Sequence, residues 1–229
     1  MKTIIITGAN GNLGTACVKK FLTEGYKVIA VDGHNNHLDF AASNPRFSFA
    51  TVNLSDEAET EKFVSTSIAA HGKIEGALML VGGFAAGNMA STTGDDVHKM
   101  FSLNFETAYF LARPLLQHMQ QSNYGRLIFV GARPALNPAQ GKDLMAYALT
   151  KSLVFKLAEF INEDNKGKNI TATVVVPSTI DTALNRKSMP DANPDNWVTP
   201  EAIADTMEFV LSDKGNVLRE GVLKVYNNS

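Results

Sequence analysis

The fold is decided by residues 2–32, which read KTIIITGANGNLGTACVKKFLTEGYKVIAVD. The apolar run 4–6 predicts a strand, and the glycine-rich segment 7–14 predicts a tight turn that opens a helix. A second apolar run, residues 26–31, predicts another strand, which ends at Asp32. This order of strand, glycine-rich turn, helix, strand and acid is typical of a unit that binds a dinucleotide.

Each part of this unit has a separate task in holding a dinucleotide. Glycines let the backbone turn tightly and approach the pyrophosphate, whose charge lies at the helix N-terminus. Asp32 is predicted to accept hydrogen bonds from the adenosine ribose hydroxyls, a role that an ordinary loop would not explain. Its carboxylate would repel a 2′-phosphate and Gly33 adds no basic side chain, so NAD(H) is predicted over NADP(H). The residues predicted to bind along the turn are Gly8, Asn10, Gly11, Asn12, Leu13 and Gly14.

Composition limits the classes of protein to which the chain can belong. Its 229 residues, of which 45% are hydrophobic, can bury a sizeable core within a single domain spanning 1–229. The net charge of −2 and the pI near 6.2 give no reason to expect nucleic acid or an anionic membrane as a partner. Cys17 is the only cysteine, and no apolar run is long enough for a signal peptide or a membrane span. A cytoplasmic protein is therefore expected.

Strands and helices are predicted to alternate along the rest of the chain. Further strands are expected at residues 47–52, 74–81, 126–130, 170–176 and 221–226. Helices are expected up to His71, over 94–121 and 144–165, and from Thr199-Pro200-Glu201 onward. This alternation predicts an α/β fold, a single doubly wound Rossmann domain with a mainly parallel seven-stranded sheet and helices on both faces.

A cap, a proline and two long connections add detail to this prediction. Asp56 with Glu59 is expected to cap the second helix. Pro114 is expected to bend the long helix in which it lies, or to end its first part. Residues 131–143 and 178–198 are predicted to be irregular, and both follow the C-terminus of a strand. Open α/β sheets bind their ligands at those ends, and long loops in compact domains are often functional.

A second motif is Tyr147-Ala-Leu-Thr-Lys151, on the helix predicted over 144–165. Positions four apart share a helix face, so the phenol and the ammonium are expected to point into the same cleft. The nearby cation is expected to lower the pKa of Tyr147 and to make it a proton donor or acceptor near neutral pH. Alone, the pattern is typical of a solvated helix face, but after the fifth strand of a dinucleotide fold it indicates an acid/base.

Over nearly its whole length the chain resembles the short-chain dehydrogenase/reductase family. The resemblance implies that Tyr147 is the acid/base, with Lys151 binding the nicotinamide ribose and tuning the tyrosine. It also implies that Asn104 holds a water in a proton relay. The matching pieces are segment 7–14, Asn53-Leu54 after the third strand, Gly82-Gly83 after the fourth, Asn104 in the long helix, Tyr147 with Lys151, and Pro177-Ser-Thr-Ile-Asp-Thr182 after the sixth.

The same resemblance implies further contacts with the cofactor. Asn53 and Leu54 would flank the adenine. Ile180 would offer its backbone to the carboxamide, and Thr182 would contact the cofactor nearby. The implied cofactor site is completed by Gly82, Gly83 and Pro177.

Two departures narrow the resemblance to one branch of the family. Asn12 stands where the commonest family pattern has glycine. The catalytic serine expected just after the fifth strand is missing, because that stretch reads Gly131-Ala132-Arg133-Pro134. Both departures resemble the dihydropteridine reductase branch, which has the same glycine spacing and an alanine in place of the serine. Residues 81–88 and 181–190 are also similar to that branch.

The sequence thus predicts an NAD(H)-dependent oxidoreductase that passes a hydride between nicotinamide and a small organic substrate, with a quinonoid dihydropterin as the leading candidate. Two alternatives stay open: a carbonyl or alcohol dehydrogenase that lacks the usual serine, and a catalytically silent dinucleotide-binding regulator. Retention of Tyr147, Lys151 and Asn104 argues against the second alternative. The resemblance also implies a homodimer or homotetramer through the helices bearing Asn104 and Tyr147. No metal is expected, because the five histidines show no ligand pattern with cysteines or acids.

Overall fold

The computed structural model describes residues 1–35 and 37–228, and this part of the chain forms one seven-stranded sheet. The strands lie in the order β3-β2-β1-β4-β5-β6-β7, and every pair of neighbours is parallel. The predicted α/β fold is confirmed, with a sheet that is parallel throughout. The strands are β1 Thr3–Thr7, β2 Lys27–Asp32, β3 Phe47–Thr51, β4 Gly76–Met79, β5 Gly125–Val130, β6 Ile170–Pro177 and β7 Val222–Val225.

Helices connect the strands, and short 3₁₀ turns lie at Asp39–Ala41, Pro194–Asn196 and Asp213–Val217. The described α-helices are α1 Asn12–Thr23, α2 Glu57–His71, α3 Gly94–Phe101, α4 Thr107–Ser122, α5 Arg133–Leu136, α6 Pro138–Gly141, α7 Met145–Asp164, α8 Ala183–Ser188 and α9 Pro200–Leu211.

The hydrophobic core forms two layers, one on each face of the sheet. Ile4 and Ile6 of β1 pack in the layer that contains the apolar sides of α1 and α9. Ile5 points the opposite way, into the layer that contains residues of α2, α4 and α7. Side chains alternate along a strand, so a sheet covered on both faces needs apolar residues at every position of its central strands. Each such side chain contributes about 1.5–3 kcal/mol by its burial.

The helix predicted over 94–121 is interrupted, but not by its proline. Pro114 lies inside α4, whereas the break is a π-helical turn at Ser102–Glu106 between α3 and α4. The expectation that Pro114 ends the first part of the helix was therefore wrong. A π turn inserts one extra residue per turn into a helix, and such turns are frequent at functional sites. Here the turn contains Asn104.

The two connections predicted to be irregular contain short helices. Residues 131–143 include α5 and α6, and residues 178–198 include α8 and a 3₁₀ turn. The prediction of irregular structure was wrong in this respect, because Asn137, Thr182 and Asn193 each accept a backbone N–H bond that starts a local helical turn. Helices of four to six residues show no sequence periodicity by which they could be recognised.

The predicted caps are confirmed. The Asp56 carboxylate accepts the Glu59 N–H at 2.9 Å at the start of α2. Thr199 Oγ1 accepts the Ala202 N–H at 3.2 Å before Pro200, at the start of α9. Both bonds satisfy a donor that the first turn of a helix would otherwise leave unpaired.

The strand order places the candidate residues at one edge of the sheet. From β1 the chain passes to β2 and β3 on one side, and returns through β4 to β7 on the other. The crevice at this switch point, beyond the carboxyl ends of the strands, is where open α/β sheets bind ligands. Loops after β1, β2, β4, β5 and β6 converge there. No helix in the described part of the chain is long and apolar enough to cross a membrane.

Candidate active site

The turn after β1 requires glycine at two of its positions. Gly8 has φ +61°, and a Cβ atom there would lie 3.1 Å from the backbone nitrogen of Val81. At Gly14 a Cβ atom would lie 2.1 Å from the carbonyl oxygen of Gly8, which is closer than any side chain tolerates. The start of α1 therefore packs directly on the preceding loop, as predicted for a backbone that approaches a pyrophosphate.

The N-terminus of α1 is open to an anion. Gly11 is the residue before the helix, and no side chain within the described residues caps this end. Asn12 is exposed at the first helical position, and Leu13 packs its side chain toward the core. Unpaired N–H groups at the positive end of the helix dipole are suited to phosphate oxygens.

Asp32 lies beside this turn. Its Oδ2 atom accepts the backbone N–H of Asn10 at 2.9 Å, and its Oδ1 atom accepts that of Gly33 at 2.7 Å. The Asn10 side chain in turn donates to the carbonyl oxygen of His34. The carboxylate is thus held at the end of β2 against the glycine turn, and its contact with a ribose stays a prediction.

Asn53 and Leu54 follow β3, the strand next to Asp32. Leu54 is buried in the core. Asn53 is exposed and orders the turn into α2, because its N–H donates to Glu59 Oε1 at 3.0 Å and its Oδ1 accepts the Ser55 N–H at 3.2 Å. Their predicted contact with the adenine stays a prediction.

The loop after β4 brings three candidate residues together. A Cβ atom on Gly82 would lie 2.8 Å from Asn104 Oδ1 and 3.3 Å from Lys151 Nζ, so a larger residue here would displace the Asn104 amide. The next residue, Gly83, donates its N–H to Asn104 Oδ1 at 2.9 Å. Asn104 is only 1% exposed, although an asparagine on a helix is more often solvated. Its burial, with Gly83, Met100 and Thr150 as hydrogen-bonding neighbours, favours a specific role.

Lys151 and Tyr147 occupy the same face of α7 but differ in their immediate contacts. Lys151 is buried, and its ammonium donates to the carbonyl oxygen of Val130 at the end of β5, at 2.9 Å. Tyr147 is half-buried, and its ring lies 5.2 Å from that of Phe84 in an edge-to-face arrangement. The expectation that both side chains point into one cleft stays a prediction.

The predicted lowering of the Tyr147 pKa is not what the structure shows. Burial raises the pKa of the Tyr147 phenol to about 12, because the phenolate would lose its hydration. Burial also lowers the pKa of the Lys151 ammonium to about 8. The prediction of a lowered pKa was wrong, because it considered the charge of Lys151 but not the desolvation of the phenol and the ammonium. A phenol that keeps its proton at neutral pH is in the state required of a proton donor.

Replacing the buried ammonium should change how stability depends on pH. We expect Lys151→Met to gain stability relative to the parent at pH 7, where the parent still buries a charge. As pH rises through 8 the native lysine loses its proton while the unfolded lysine keeps it, so the parent recovers stability. The difference in the free energy of unfolding between Lys151→Met and the parent should shrink by about 2–3 kcal/mol between pH 7 and 10. One pKa unit corresponds to about 1.36 kcal/mol.

Urea unfolding of both proteins across this pH range measures the difference. Other titrating groups, such as the buried Cys17 thiol, are present in both proteins and cancel. Loss of the bond to the Val130 carbonyl adds an offset that does not vary with pH. A constant difference from pH 7 to 10 would show that Lys151 is not titrating from a buried position.

Ala132 occupies the position at which the family has its serine. It is buried, has an extended backbone, and precedes α5. The next residue, Arg133, stacks its guanidinium on the Tyr226 ring, 5.3 Å from its centroid, and donates to Gln140 Oε1 at 3.1 Å. A role for this missing hydroxyl in the chemistry of Tyr147 stays a prediction.

The loop after β6 places Pro177, Ile180 and Thr182 at the same edge of the sheet. Pro177 is the last residue of β6. The carbonyl oxygen of Ile180 accepts a bond from Asn185 Nδ2 at 2.8 Å, and Ile180 also pairs with Val198. Thr182 Oγ1 caps α8 by accepting the Asn185 N–H at 3.1 Å. These bonds hold the loop in shape, and the contacts of its residues with a cofactor stay predictions.

Two residues of the site were not identified from the sequence. Phe84 is 67% exposed although it packs against Tyr147, and its signals were its place after Gly82-Gly83 and within residues 81–88, which resemble one branch of the family. Thr150 is buried and accepts a bond from Asn104 Nδ2 at 3.3 Å. No sequence signal could identify that contact, because it joins residues 46 positions apart.

Comparison with known proteins identifies the family of this chain. The sequence model of the family described as short chain dehydrogenase matches residues 2–193. The chain is 28% identical over 209 residues to a dihydropteridine reductase of Dictyostelium discoideum, covering 90% of this chain and 86% of that protein.

Solved structures share the fold. ElxO with NADP bound is similar with a TM-score of 0.90 at 20% identity, covering 98% of this chain and 96% of that one. A 4-hydroxyisoleucine dehydrogenase complexed with NADH is similar with a TM-score of 0.89 at 20% identity, covering 99% of this chain and 98% of that one. The structural likeness supports the fold, and the match of the family model over most of the chain shows that it belongs to the short-chain dehydrogenase family of oxidoreductases.

Proposed function

We propose that this protein is an NADH-dependent oxidoreductase in which Tyr147 donates a proton to a small conjugated substrate, with a quinonoid dihydropterin as the leading candidate. The observation that carries the proposal is the grouping of Tyr147, Lys151, Asn104 and Gly82 at the sheet edge that also holds the glycine turn. The Dictyostelium dihydropteridine reductase among its relatives adds support for the substrate.

The residues at this edge fit a nicotinamide dinucleotide. Gly8 and Gly14 leave a backbone cradle that a Cβ atom would fill, and no side chain from residues 1–35 or 37–228 caps the start of α1 there. Asp32 would hold the adenosine ribose, and Lys151 the nicotinamide ribose. The remaining residues proposed to contact the cofactor are Asn10, Gly11, Asn12, Leu13, Asn53, Leu54, Gly82, Gly83, Pro177, Ile180 and Thr182. When bound, the nicotinamide supplies or takes up the hydride.

Asp32 is the residue that selects the cofactor in this proposal. We expect NADH to bind more tightly than NADPH, because the 2′-phosphate would meet the carboxylate held by Asn10 and Gly33. Asp32→Ala should weaken NADH binding by about 1.5–3 kcal/mol, the range for hydrogen bonds to a charged group. Calorimetric titration of both nucleotides measures this.

Asp39→Ala is the matched control, because it removes the same charge from an exposed residue in the connection between β2 and β3. It should leave NADH binding unchanged. Equal or tighter binding of NADPH by the unmodified protein would contradict the assignment of Asp32. Solved relatives of the same fold include complexes with either cofactor, so the fold alone does not decide the preference.

Tyr147 is the proton donor in the direction of substrate reduction. Its raised pKa keeps the phenol protonated at neutral pH, and Phe84 limits the orientations of its ring. Lys151, one helical turn away, is held by the Val130 carbonyl and would stabilise negative charge that develops on the phenol oxygen. Asn104 lies in the π turn behind Lys151 and would order the water that returns the proton to Tyr147.

The surroundings of Tyr147 favour a flat, conjugated substrate. Ala132 offers no hydroxyl to a localised oxyanion, whereas reduction of a conjugated ring spreads the developing charge over several atoms. Phe84 presents an exposed aromatic ring beside Tyr147. Contact between aromatic rings contributes about 0.5–1.5 kcal/mol beyond area burial. A quinonoid dihydropterin meets both conditions.

A substrate panel followed by NADH absorbance tests this function. The panel contains a quinonoid dihydropterin, simple ketones, and simple aldehydes. We expect rapid NADH oxidation with the dihydropterin and slow oxidation with the carbonyl compounds. Good turnover of carbonyls alone would favour the alternative dehydrogenase, and NADH binding without turnover of any class would favour a silent regulator.

We further propose that copies of the chain pair through α4 and α7 into a homodimer or homotetramer. Tyr109 on α4 and Leu149, Leu153 and Phe160 on α7 expose apolar surface on these two helices. Exposed apolar residues on neighbouring helices are typical of surfaces that bind a partner. Light scattering measures the oligomer number, and a monomer at micromolar concentration would contradict this proposal.

A further inference from the structure

We propose that Thr150 is a positioning residue that fixes the Asn104 amide and, through it, the loop that carries Phe84 against Tyr147. The inference rests on the proposed function, because it concerns the proton-transfer residues of that site. Thr150 lies between Tyr147 and Lys151 in sequence, yet its side chain points to the π turn rather than to the cleft residues.

Hydrogen-bond donors and acceptors around Asn104 define one orientation of its amide. Asn104 Oδ1 accepts the Gly83 N–H at 2.9 Å, and Nδ2 donates to Thr150 Oγ1 at 3.3 Å and to the weaker acceptor Met100 Sδ at 3.6 Å. The single hydroxyl proton of Thr150 is directed to the carbonyl oxygens of Ala146 and Tyr147, at 2.9 and 3.0 Å. Thr150 can therefore only accept from Asn104, and a flipped amide would face the Gly83 N–H with a second donor.

These bonds form a continuous set of contacts around the acid/base. Thr150 is bonded to the backbone of Tyr147 on α7 and to Asn104 in the π turn. Asn104 is bonded to the backbone of Gly83, and the next residue, Phe84, packs its ring on Tyr147. Thr150 thus ties the helix that carries Tyr147 to the loop that covers its ring.

The bond from Asn104 distinguishes the hydroxyl of Thr150 from that of an ordinary buried threonine on a helix. Thr107 offers the matched comparison, because it is also buried and its Oγ1 bonds to a carbonyl four residues earlier, that of Leu103, at 2.8 Å. Among the described residues, Thr107 shows no bond to Asn104 or to the loop after β4. Thr107→Val therefore removes the same group from the same kind of site without touching the proposed contact.

Amide hydrogen exchange at Gly83 tests the positioning without a substrate. In Thr150→Val the Asn104 Nδ2 atom loses its oxygen acceptor and keeps only the weak acceptor Met100 Sδ. The amide is then held less firmly, so the Gly83 N–H should exchange about tenfold faster, equivalent to one hydrogen bond. Thr150→Ser keeps the hydroxyl and should restore slow exchange, and Thr107→Val should leave exchange at Gly83 unchanged. Thermal melting confirms that each variant is folded.

The consequence of this positioning for catalysis is tested by turnover measurements. These use a substrate that the unmodified protein reduces. We expect Thr150→Val to lower kcat by about 10- to 100-fold, the range for a misplaced group near a reaction, with little change in the KM for NADH. Thr150→Ser should restore kcat, and Thr150→Val should add nothing to the loss caused by Asn104→Ala, because both act through one contact.

The two readouts separate this inference from the proposed function. Unchanged exchange at Gly83 in Thr150→Val, or an equal effect in Thr107→Val, overturns the positioning role whatever the activity. Additive losses with Asn104→Ala, or failure of Thr150→Ser to restore kcat, overturn it as well. Faster exchange at Gly83 together with non-additive loss of kcat supports it.

Discussion

Tyr147→Phe should lower turnover by about 10²–10⁴-fold, the usual contribution of a positioned acid or base. The substitution keeps the aromatic ring that packs on Phe84 and removes only the phenol oxygen. The fold and the affinity for NADH should therefore survive, so the loss should fall on kcat rather than on binding. Steady-state kinetics on the active substrate, together with calorimetric titration of NADH, measure both quantities.

Tyr124→Phe is the matched control for this substitution. Tyr124 precedes β5 at the opposite end of the sheet, and its hydroxyl is buried there. Its removal should leave turnover unchanged. Should Tyr147→Phe retain turnover within about a factor of two of the parent, far short of a general acid's contribution, Tyr147 would have no part in the chemistry.

Ala132→Ser should create or raise activity on simple ketones and aldehydes by about 10²–10³-fold, the usual contribution of one donor to an oxyanion. Reduction of a carbonyl places the growing negative charge on one oxygen, which a serine hydroxyl beside Tyr147 would stabilise. A conjugated substrate spreads that charge, so turnover of a quinonoid dihydropterin should change little. Parallel kcat/KM measurements on both classes of substrate test the difference.

Ala139→Ser introduces the same hydroxyl on the exposed α6 and should leave both activities unchanged. The substrate assignment would be wrong if the parent already reduced simple carbonyls well, gained nothing from the serine, and failed to reduce the dihydropterin. Another group would then have to stabilise the oxyanion.

Local signals were sufficient to predict the strands and the cofactor turn. The apolar run 4–6 and the glycines at 8 and 14 each have a physical task that is set within about fifteen residues of chain. The parallel order of the sheet then followed from alternation of strands and helices. These features depend on neighbours in sequence, so a single sequence could predict them.

Features set by tertiary contacts could not be predicted in the same way. The contact of Asn104 with Gly83 and Thr150 joins a loop and two helices, and the π turn that carries Asn104 leaves no periodic signal. The direction of the Tyr147 pKa shift depends on how completely the fold buries both Tyr147 and Lys151. Spacing along a helix indicates which side chains are neighbours, but not how much water reaches them.

The most direct test of the account is the rate at which the unmodified protein oxidises NADH with a quinonoid dihydropterin, measured beside Tyr147→Phe under the same conditions. We predict rapid oxidation by the parent, slower oxidation of NADPH, and a loss of about 10²–10⁴-fold in the variant. Equal rates for the parent and the variant, or no oxidation of NADH by the parent with this substrate, would contradict the account.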